Sequence, residues 1–139
     1  MLADLDNTLV PYGVTEPPEE IVAWKQALEA QGIQLFLLSN SRRPGRAQGF
    51  AQRLGIPYQG HSGKPRRAGY LRAMERMGRR PEETVMVGDN FTHDIQGALD
   101  VGIDGVWLNW TDKPKPVGEL SYTEVSTFEQ AAAHIRTLL

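Results

Sequence analysis

Four short groups of polar residues stand out because each follows an apolar run or opens a helical pattern. They are Asp4 and Asp6, Ser39 and Asn40, Lys64, and Asp89. A carboxylate can attack phosphorus and form an aspartyl phosphate, which divides one difficult displacement into two easier ones. Both steps need positive charge near the phosphoryl oxygens and a positioned acid or base. These residue types therefore supply the parts of a phosphoryl-transfer site.

The spacing of the acidic residues indicates how they would share this work. One residue separates Asp4 from Asp6, which places both carboxylates on the same side of an extended chain. Asp4 and Asp89 together would form an oxygen-rich pocket suited to Mg²⁺, which binds carboxylates, waters and phosphate oxygens. Ser39 can donate a hydrogen bond to phosphate, and Lys64 can supply a fixed cation.

Each group also has an ordinary structural explanation. The sequence around Asp4 and Asp6 favours a polar turn or a helix cap. Ser39 and Asn40 fit a plain turn, and Lys64 could be one exposed lysine among many. The combination of the groups and their order favour a catalytic function over these structural explanations, which no group alone would do.

The apolar pattern predicts strands that alternate with helices. The predicted strands cover 1–5, 33–38, 56–58, 84–87, 103–108 and 121–126. The predicted helices cover 17–31, 44–54, 65–77, 94–101 and 128–138. This alternation implies an α/β fold, in which a central parallel sheet carries helices on both faces. Because ligands of such sheets bind beyond the carboxyl ends of the strands, the polar groups should meet at one edge.

Length and composition set further limits. The chain has 139 residues, which predicts a single domain over 1–139. A net charge of −2 gives no support for a nucleic-acid partner. The chain lacks cysteine, an apolar run of the roughly 20 residues that a membrane helix needs, and a secretory-signal pattern. We therefore expect a cytoplasmic protein without a transmembrane segment.

Four segments together resemble one known family. Residues 4–10 resemble the first motif of the haloacid dehalogenase superfamily of phosphatases. Residues 37–40, 63–65 and 87–94 resemble its second, third and fourth motifs in the same order. The small class IIIA, YqeG-type subgroup is the most similar. The resemblance implies a three-layer Rossmann-like fold without a cap domain, and a Mg²⁺-dependent phosphomonoester hydrolase.

The resemblance also implies roles for the catalytic residues. Asp4 would be the nucleophile and a Mg²⁺ ligand. Asp6 would be the general acid and base, and a Mg²⁺ ligand through its backbone carbonyl. Ser39 would bind the transferring phosphoryl group, and Lys64 would stabilise it.

Further residues complete the predicted metal and substrate sites. The resemblance makes Asp89 a Mg²⁺ ligand, and Asp94 a carboxylate that orients the site or binds a metal-bound water. Asp94 could instead cap the helix that it begins. Asn40 is a candidate for substrate binding. Arg42 and Arg43 either attract an anionic substrate or form a solvated helix face.

A site without a cap is open to solvent, which affects the expected partners. We expect a phosphorylated small molecule or a lipid headgroup as substrate, with a homo-oligomer as one way to cover the site. Only three residues precede Asp4 here, so we expect a short first strand. Two alternatives remain: a noncatalytic scaffold or subunit, and a receiver-type domain that stores a phosphoryl group. A receiver carries its acceptor aspartate after a middle strand, where this chain has Ser39.

Overall fold

Strands and helices alternate along the chain in the computed structural model. The structure describes residues 1–4, 8–10, 14–40, 44–60, 63–64, 66–115 and 122–137. The strands are β1 (Leu2–Ala3), β2 (Phe36–Leu38), β3 (Tyr58–Gln59), β4 (Val85–Gly88), β5 (Asp104–Leu108) and β6 (Thr123–Val125). The α-helices are α1 (Glu19–Ala30), α2 (Pro44–Leu54), α3 (Arg67–Met77), α4 (Gly97–Asp100) and α5 (Phe128–Thr137). A 3₁₀ turn (Pro81–Glu83) precedes β4, and a wide π-helical turn (Phe91–Gln96) precedes α4.

The order of the strands places a crevice next to β1. In the described part of the chain the strands form one parallel sheet with the order β3-β2-β1-β4-β5-β6. The chain proceeds outward from β1 to β3 and then returns to β4 on the other side of β1. A sheet of this kind opens a crevice where the direction reverses, at the carboxyl ends of the strands. Asp4 follows β1 and Asp89 follows β4, so both residues lie at this crevice.

Two hydrophobic clusters cover the two faces of the sheet. Successive strand residues point to opposite faces, so Ala3 and Leu37 belong to one cluster while Leu2 and Phe36 belong to the other. Helices α1, α2 and α5 contribute to the first cluster, and α3 and α4 contribute to the second. The prediction of a parallel sheet with helices on both faces is therefore confirmed.

The boundaries differ from the sequence prediction mainly before strands and at turns. Helix α2 has the predicted bounds, but β2 begins at Phe36 rather than at residue 33. The reason is that Gly32 takes a left-handed backbone (φ 81°) and the amide of Ile33 still donates to the Leu28 carbonyl. The chain therefore completes the end of α1 before it can pair with the sheet. No helix in the described ranges has the length and apolar character required to cross a membrane.

Candidate active site

Three carboxylates converge at the crevice between β1 and β4. Oxygen atoms of Asp4, Asp89 and Asp94 all lie within 4.8 Å of one another. The backbone N–H of Asp4 donates to the Val87 carbonyl (3.1 Å), so the pairing between β1 and β4 extends up to Asp4 itself. The two neighbouring parallel strands thus hold the Asp4 and Asp89 carboxylates side by side.

A buried lysine neutralises part of this charge. The Lys64 ammonium donates to Asp94 Oδ1 (2.7 Å), to Asp4 Oδ1 (3.2 Å) and to the Leu38 carbonyl (2.8 Å). An ammonium has three N–H groups, so protein acceptors engage all of them. Burial disfavours the charged ammonium, but the carboxylates of Asp94 and Asp4 outweigh this and raise the pKa of Lys64. Lys64 is therefore a fixed cation that orients Asp4.

The Asn40 side chain holds the backbone that carries Lys64. Its Oδ1 accepts from the Lys64 N–H and its Nδ2 donates to the Lys64 carbonyl, both over 2.9 Å. This paired contact fixes the loop of Lys64 against the end of β2. Asn40 thus has a visible positioning role, while its predicted contact with substrate stays a prediction. Ser39, just before it, is buried at the same strand end, where its N–H donates to the Gln59 carbonyl.

Two side chains that the sequence did not single out fix Asp89. The Thr8 hydroxyl accepts from the Asp89 backbone N–H (3.1 Å) and donates to Asp89 Oδ1 (3.4 Å). The indole of Trp107 donates to the Asp89 carbonyl (3.0 Å). Burial, together with the negative charge of Asp4, raises the pKa of the Asp89 carboxyl. Thr8 lies inside the first motif, whereas Trp107 had no signal beyond its apolar strand.

Asp94 supports Lys64 from within the wide turn. Its Oδ2 accepts from the Asn90 backbone N–H (3.2 Å), while its Oδ1 is bound to Lys64. Burial raises the pKa of the Asp94 carboxyl, and the Lys64 ammonium opposes that rise. The alternative that Asp94 caps its helix is wrong, because the turn begins at Phe91 and the Asn90 side chain accepts the His93 N–H.

Tyr70, which the sequence also did not single out, contacts the backbone of this turn. Its hydroxyl lies within hydrogen-bonding distance of the carbonyl oxygens of His93 (2.5 Å) and Asp94 (3.0 Å). Burial, reinforced by the charges of Asp94 and Asp4, raises the pKa of Tyr70, so the hydroxyl stays protonated and can donate. The Tyr70 hydroxyl thus anchors the backbone of the turn that carries Asp94.

Gly88 allows the turn to lie directly on the sheet. A Cβ at Gly88 would stand 2.1 Å from Asp94 Oδ2, a distance that no side chain tolerates. We expect Gly88→Ala to lower the free energy of unfolding by roughly 1–3 kcal/mol, because Asp94 must move away from Lys64. Urea denaturation measures this change. Gly45→Ala is the control, because a Cβ there meets nothing within 4 Å and an exposed helical alanine should slightly stabilise. Equal stability of the two variants would contradict the close approach.

The donor set fits a divalent cation. Three carboxylates and one ammonium give the described cluster a formal charge of −2. Mg²⁺ in proteins is usually bound by one or two carboxylates together with waters and phosphate oxygens, and a cation here would relieve the repulsion between Asp4 and Asp89. The remaining predicted residues, Asp6, Arg42 and Arg43, lie outside the described residues.

Comparison with known proteins agrees with this geometry. Residues 12–102 match the family model of haloacid dehalogenase-like hydrolases. The chain belongs to this family. Probable phosphatase YqeG of Bacillus subtilis is 30% identical over 97 residues, which cover 70% of this chain and 56% of that protein. Phospholysine phosphohistidine inorganic pyrophosphate phosphatase of Xenopus laevis is 44% identical over 57 residues, which cover 41% and 21%. The chain thus matches little more than half of the first relative and about a fifth of the second.

Solved structures share the fold of this chain. An uncharacterized protein from Listeria monocytogenes serotype 4b superimposes with a TM-score of 0.75 at 18% identity, over 99% of this chain and 96% of that chain. The putative HAD-hydrolase YfnB from Bacillus subtilis, whose crystal is described as bound to magnesium, gives a TM-score of 0.70 at 22% identity. That match covers 85% of this chain and 55% of the other. At these identities the likeness establishes the fold alone.

Proposed function

We propose that this protein is a Mg²⁺-dependent phosphomonoester hydrolase that works through an aspartyl phosphate on Asp4. The observation that carries the proposal is the position of the Asp4 carboxylate. It lies at the sheet crevice, 3.2 Å from the buried ammonium of Lys64 and within 4.8 Å of an Asp89 oxygen. Lys64 holds one oxygen of Asp4, so the carboxylate is oriented before any substrate binds.

The proposed reaction has two displacements. In the first, an Asp4 oxygen forms a bond to phosphorus as the ester P–O bond breaks, and Asp6 gives its proton to the leaving alcohol oxygen. In the second, water attacks the same phosphorus while Asp6 takes its proton, and the bond between phosphorus and Asp4 breaks to release inorganic phosphate. Ser39 would donate to the phosphoryl oxygens.

The metal would be held by Asp4 and Asp89, with the Asp6 carbonyl as a further ligand. Asp94 would act through Lys64 or through a metal-bound water, because both of its oxygens already accept hydrogen bonds. When bound, Mg²⁺ supplies positive charge for the phosphoryl oxygens. The Lys64 ammonium would offset part of the same negative charge.

The substrate is proposed to be a phosphorylated small molecule or a lipid headgroup, with Arg42 and Arg43 as candidates to attract its negative charge. Within the described ranges α1 is the one helix between β1 and β2, so no cap domain is described there. An oligomer that covers the crevice, a single-domain organisation and a cytoplasmic location stay predictions. The names of the relatives extend the panel of test substrates to pyrophosphate and phosphohistidine.

A metal-dependence assay tests the proposal directly. We expect phosphate release from phenyl phosphate in excess Mg²⁺, its loss on adding EDTA, and its recovery when Mg²⁺ is restored. Mg²⁺ should also raise the Tm, because a ligand that binds only the folded state stabilises it. Turnover that persists unchanged in excess EDTA would contradict the mechanism.

The same assay separates the two alternatives. A noncatalytic subunit would release no phosphate from any member of the panel. A receiver-type domain would accumulate a phosphoaspartate that survives for minutes, whereas the proposed enzyme hydrolyses it within seconds. Trapping of the labelled intermediate after rapid acid quenching measures that lifetime.

A further inference from the structure

A cleft of about 300 Å³ opens beside the carboxylates, at the carboxyl ends of β4 and β5. Its lining residues are Asn90, Phe91, Thr92, Trp107, Lys113 and Pro114. Two of its lining residues adjoin Asp89. Asn90 directly follows Asp89 in the chain, and the Trp107 indole donates to the Asp89 carbonyl (3.0 Å). A substrate whose phosphoryl group lies at Asp4 therefore has this cleft within reach for its other end.

Aromatic side chains pack together along one wall of the cleft. The Phe91 ring lies edge-to-face against Trp107 (5.1 Å between centroids, 72°) and against Tyr122 (5.0 Å, 70°). Trp107 is almost completely buried, whereas Phe91 is half-buried and lines the opening. Edge-to-face rings attract one another beyond the effect of the area that they bury, and they present an apolar surface. This wall suits a flat or carbon-rich group.

The loop after β5 contributes a lysine, Lys113, to the lining of the cleft. The Asn109 side chain accepts from the Lys113 backbone N–H (2.8 Å) and donates to the Lys113 carbonyl (3.0 Å). Asn109 is only 4% exposed, so this contact is shielded from water. Asp112, just before Lys113, has a left-handed backbone (φ 54°), a conformation that aspartate tolerates in turns. The Asn109 contact with Lys113 repeats the contact that Asn40 makes with Lys64.

Unlike the ammonium of Lys64, the ammonium of Lys113 is available to bind a ligand. Within the described parts of the chain it has no carboxylate within ion-pair distance, and the residue is exposed. Lys113 is close enough to Asp89 to oppose the rise in pKa that burial and Asp4 impose on that carboxyl. The cleft therefore combines a backbone-anchored cation, the polar side chains of Asn90 and Thr92, and an apolar wall.

We propose that this cleft, the Lys113 pocket, binds the leaving group of the substrate and selects leaving groups that carry a second anionic group. That group is a carboxylate or a second phosphate, attached to a ring or carbon skeleton that packs against Phe91. Lys113 is then a specificity-determining residue. The inference rests on the proposed function, because it assigns the remainder of the substrate whose phosphoryl group Asp4 would attack.

Binding of two matched phosphonates tests the Lys113 pocket without requiring turnover. The pair is para-carboxybenzylphosphonate and para-carbamoylbenzylphosphonate, which differ in one negative charge at nearly constant shape. Titration calorimetry with Mg²⁺ present should show that the wild-type protein binds the carboxylate about fivefold more tightly, as an ion pair of a solvent-exposed lysine allows. Lys113→Gln should abolish this preference. Lys115→Gln, which removes an exposed cation from the same loop but not from the cleft lining, should leave it unchanged.

Any other result of the binding experiment overturns the inference. Equal affinities of the wild-type protein for the two phosphonates, or no measurable binding of either, would show that the cleft does not select an anion. If Lys113→Gln lost affinity for both phosphonates equally, Lys113 would contact the phosphonate group and not the part of the ligand that corresponds to the leaving group. Hydrolysis is scored separately. A preference that depends on Lys113 without any Asp4-dependent turnover would overturn the proposed function alone, and turnover without that preference would overturn the inference alone.

Discussion

Replacing Asp4 by Asn should stop phosphate release, with a loss in kcat of at least about 10³-fold, while the fold remains intact. The amide has nearly the shape of the carboxylate, so packing at the end of β1 should change little. The amide, however, lacks the negatively charged oxygen that attacks phosphorus. The measurement is steady-state hydrolysis of phenyl phosphate, with circular dichroism and urea denaturation as checks on the fold.

The same substitution should change the response to metal. In the metal-free protein Asp4→Asn removes one of three clustered carboxylates but also one ion-pair partner of Lys64, so its stability should stay close to that of the wild type. Mg²⁺ should then raise the Tm less than in the wild type, because one of its carboxylate ligands is gone. The matched control is Asp104→Asn, an exposed carboxylate at the start of β5 and thus at the opposite end of the sheet. That control should keep both the activity and the Mg²⁺ response.

A wild-type rate in purified Asp4→Asn protein would remove Asp4 from the role of nucleophile. A partial loss of two- to tenfold would have the same meaning, because a missing nucleophile costs far more than a lost binding contact. A normal Mg²⁺ response together with lost turnover would keep Asp4 as nucleophile but exclude it as a ligand. The two measurements therefore separate its two proposed roles.

The positions of Asp4 and Asp89 were predictable because local rules decide them. Each follows an apolar strand, and parallel strands bring their carboxyl ends to one edge. The strand alternation was sufficient for that prediction. The immediate surroundings of Asp89 were not predictable, since the Thr8 hydroxyl reaches it from 81 residues away in the chain.

The environment of Lys64 depended on tertiary structure in the same way. The sequence predicted a cation near phosphate, but its partners Asp4 and Asp94 are 60 and 30 residues away in the chain. A lysine that the sequence could not distinguish from an exposed one is almost fully buried, with every N–H engaged.

The role proposed for Lys113 could not be predicted from the sequence. It lies in a loop without apolar periodicity, and a single exposed lysine gives no local signal. Its importance becomes visible only when Asn109 is seen to hold its backbone beside the aromatic wall. Asn40 lies two residues after β2 and Asn109 lies directly after β5, and the amide of each fixes the backbone of a lysine. That pairing across a loop is a tertiary relation, which no spacing rule captures.

Removing the buried ammonium should be the most destabilising single change at this site. Lys64→Met keeps the apolar bulk of the side chain but leaves the Asp94 carboxylate, which is 1% exposed, without its cation. We expect a loss of roughly 3–5 kcal/mol in the free energy of unfolding, the usual consequence of an uncompensated buried charge. Turnover should fall by about 10²-fold or more, because Asp4 loses the group that orients it. Lys25→Met, which removes the partner of Glu29 on the surface of α1, should cost less than about 1 kcal/mol.

A second substitution separates the stability of Lys64 from its chemistry. In Lys64→Met/Asp94→Asn no buried carboxylate is left unpaired at Asp94, so most of the lost stability should return, whereas turnover should stay low. The pH dependence gives an independent check. Without Lys64 the buried Asp94 carboxyl binds a proton more readily in the folded protein than in the unfolded one, so stability falls as pH rises. The deficit of Lys64→Met should therefore shrink from about pH 8 to about pH 5. A deficit that is independent of pH and survives in the double variant would mean that Lys64 acts through packing, and the ion pair with Asp94 would not be the reason for its burial.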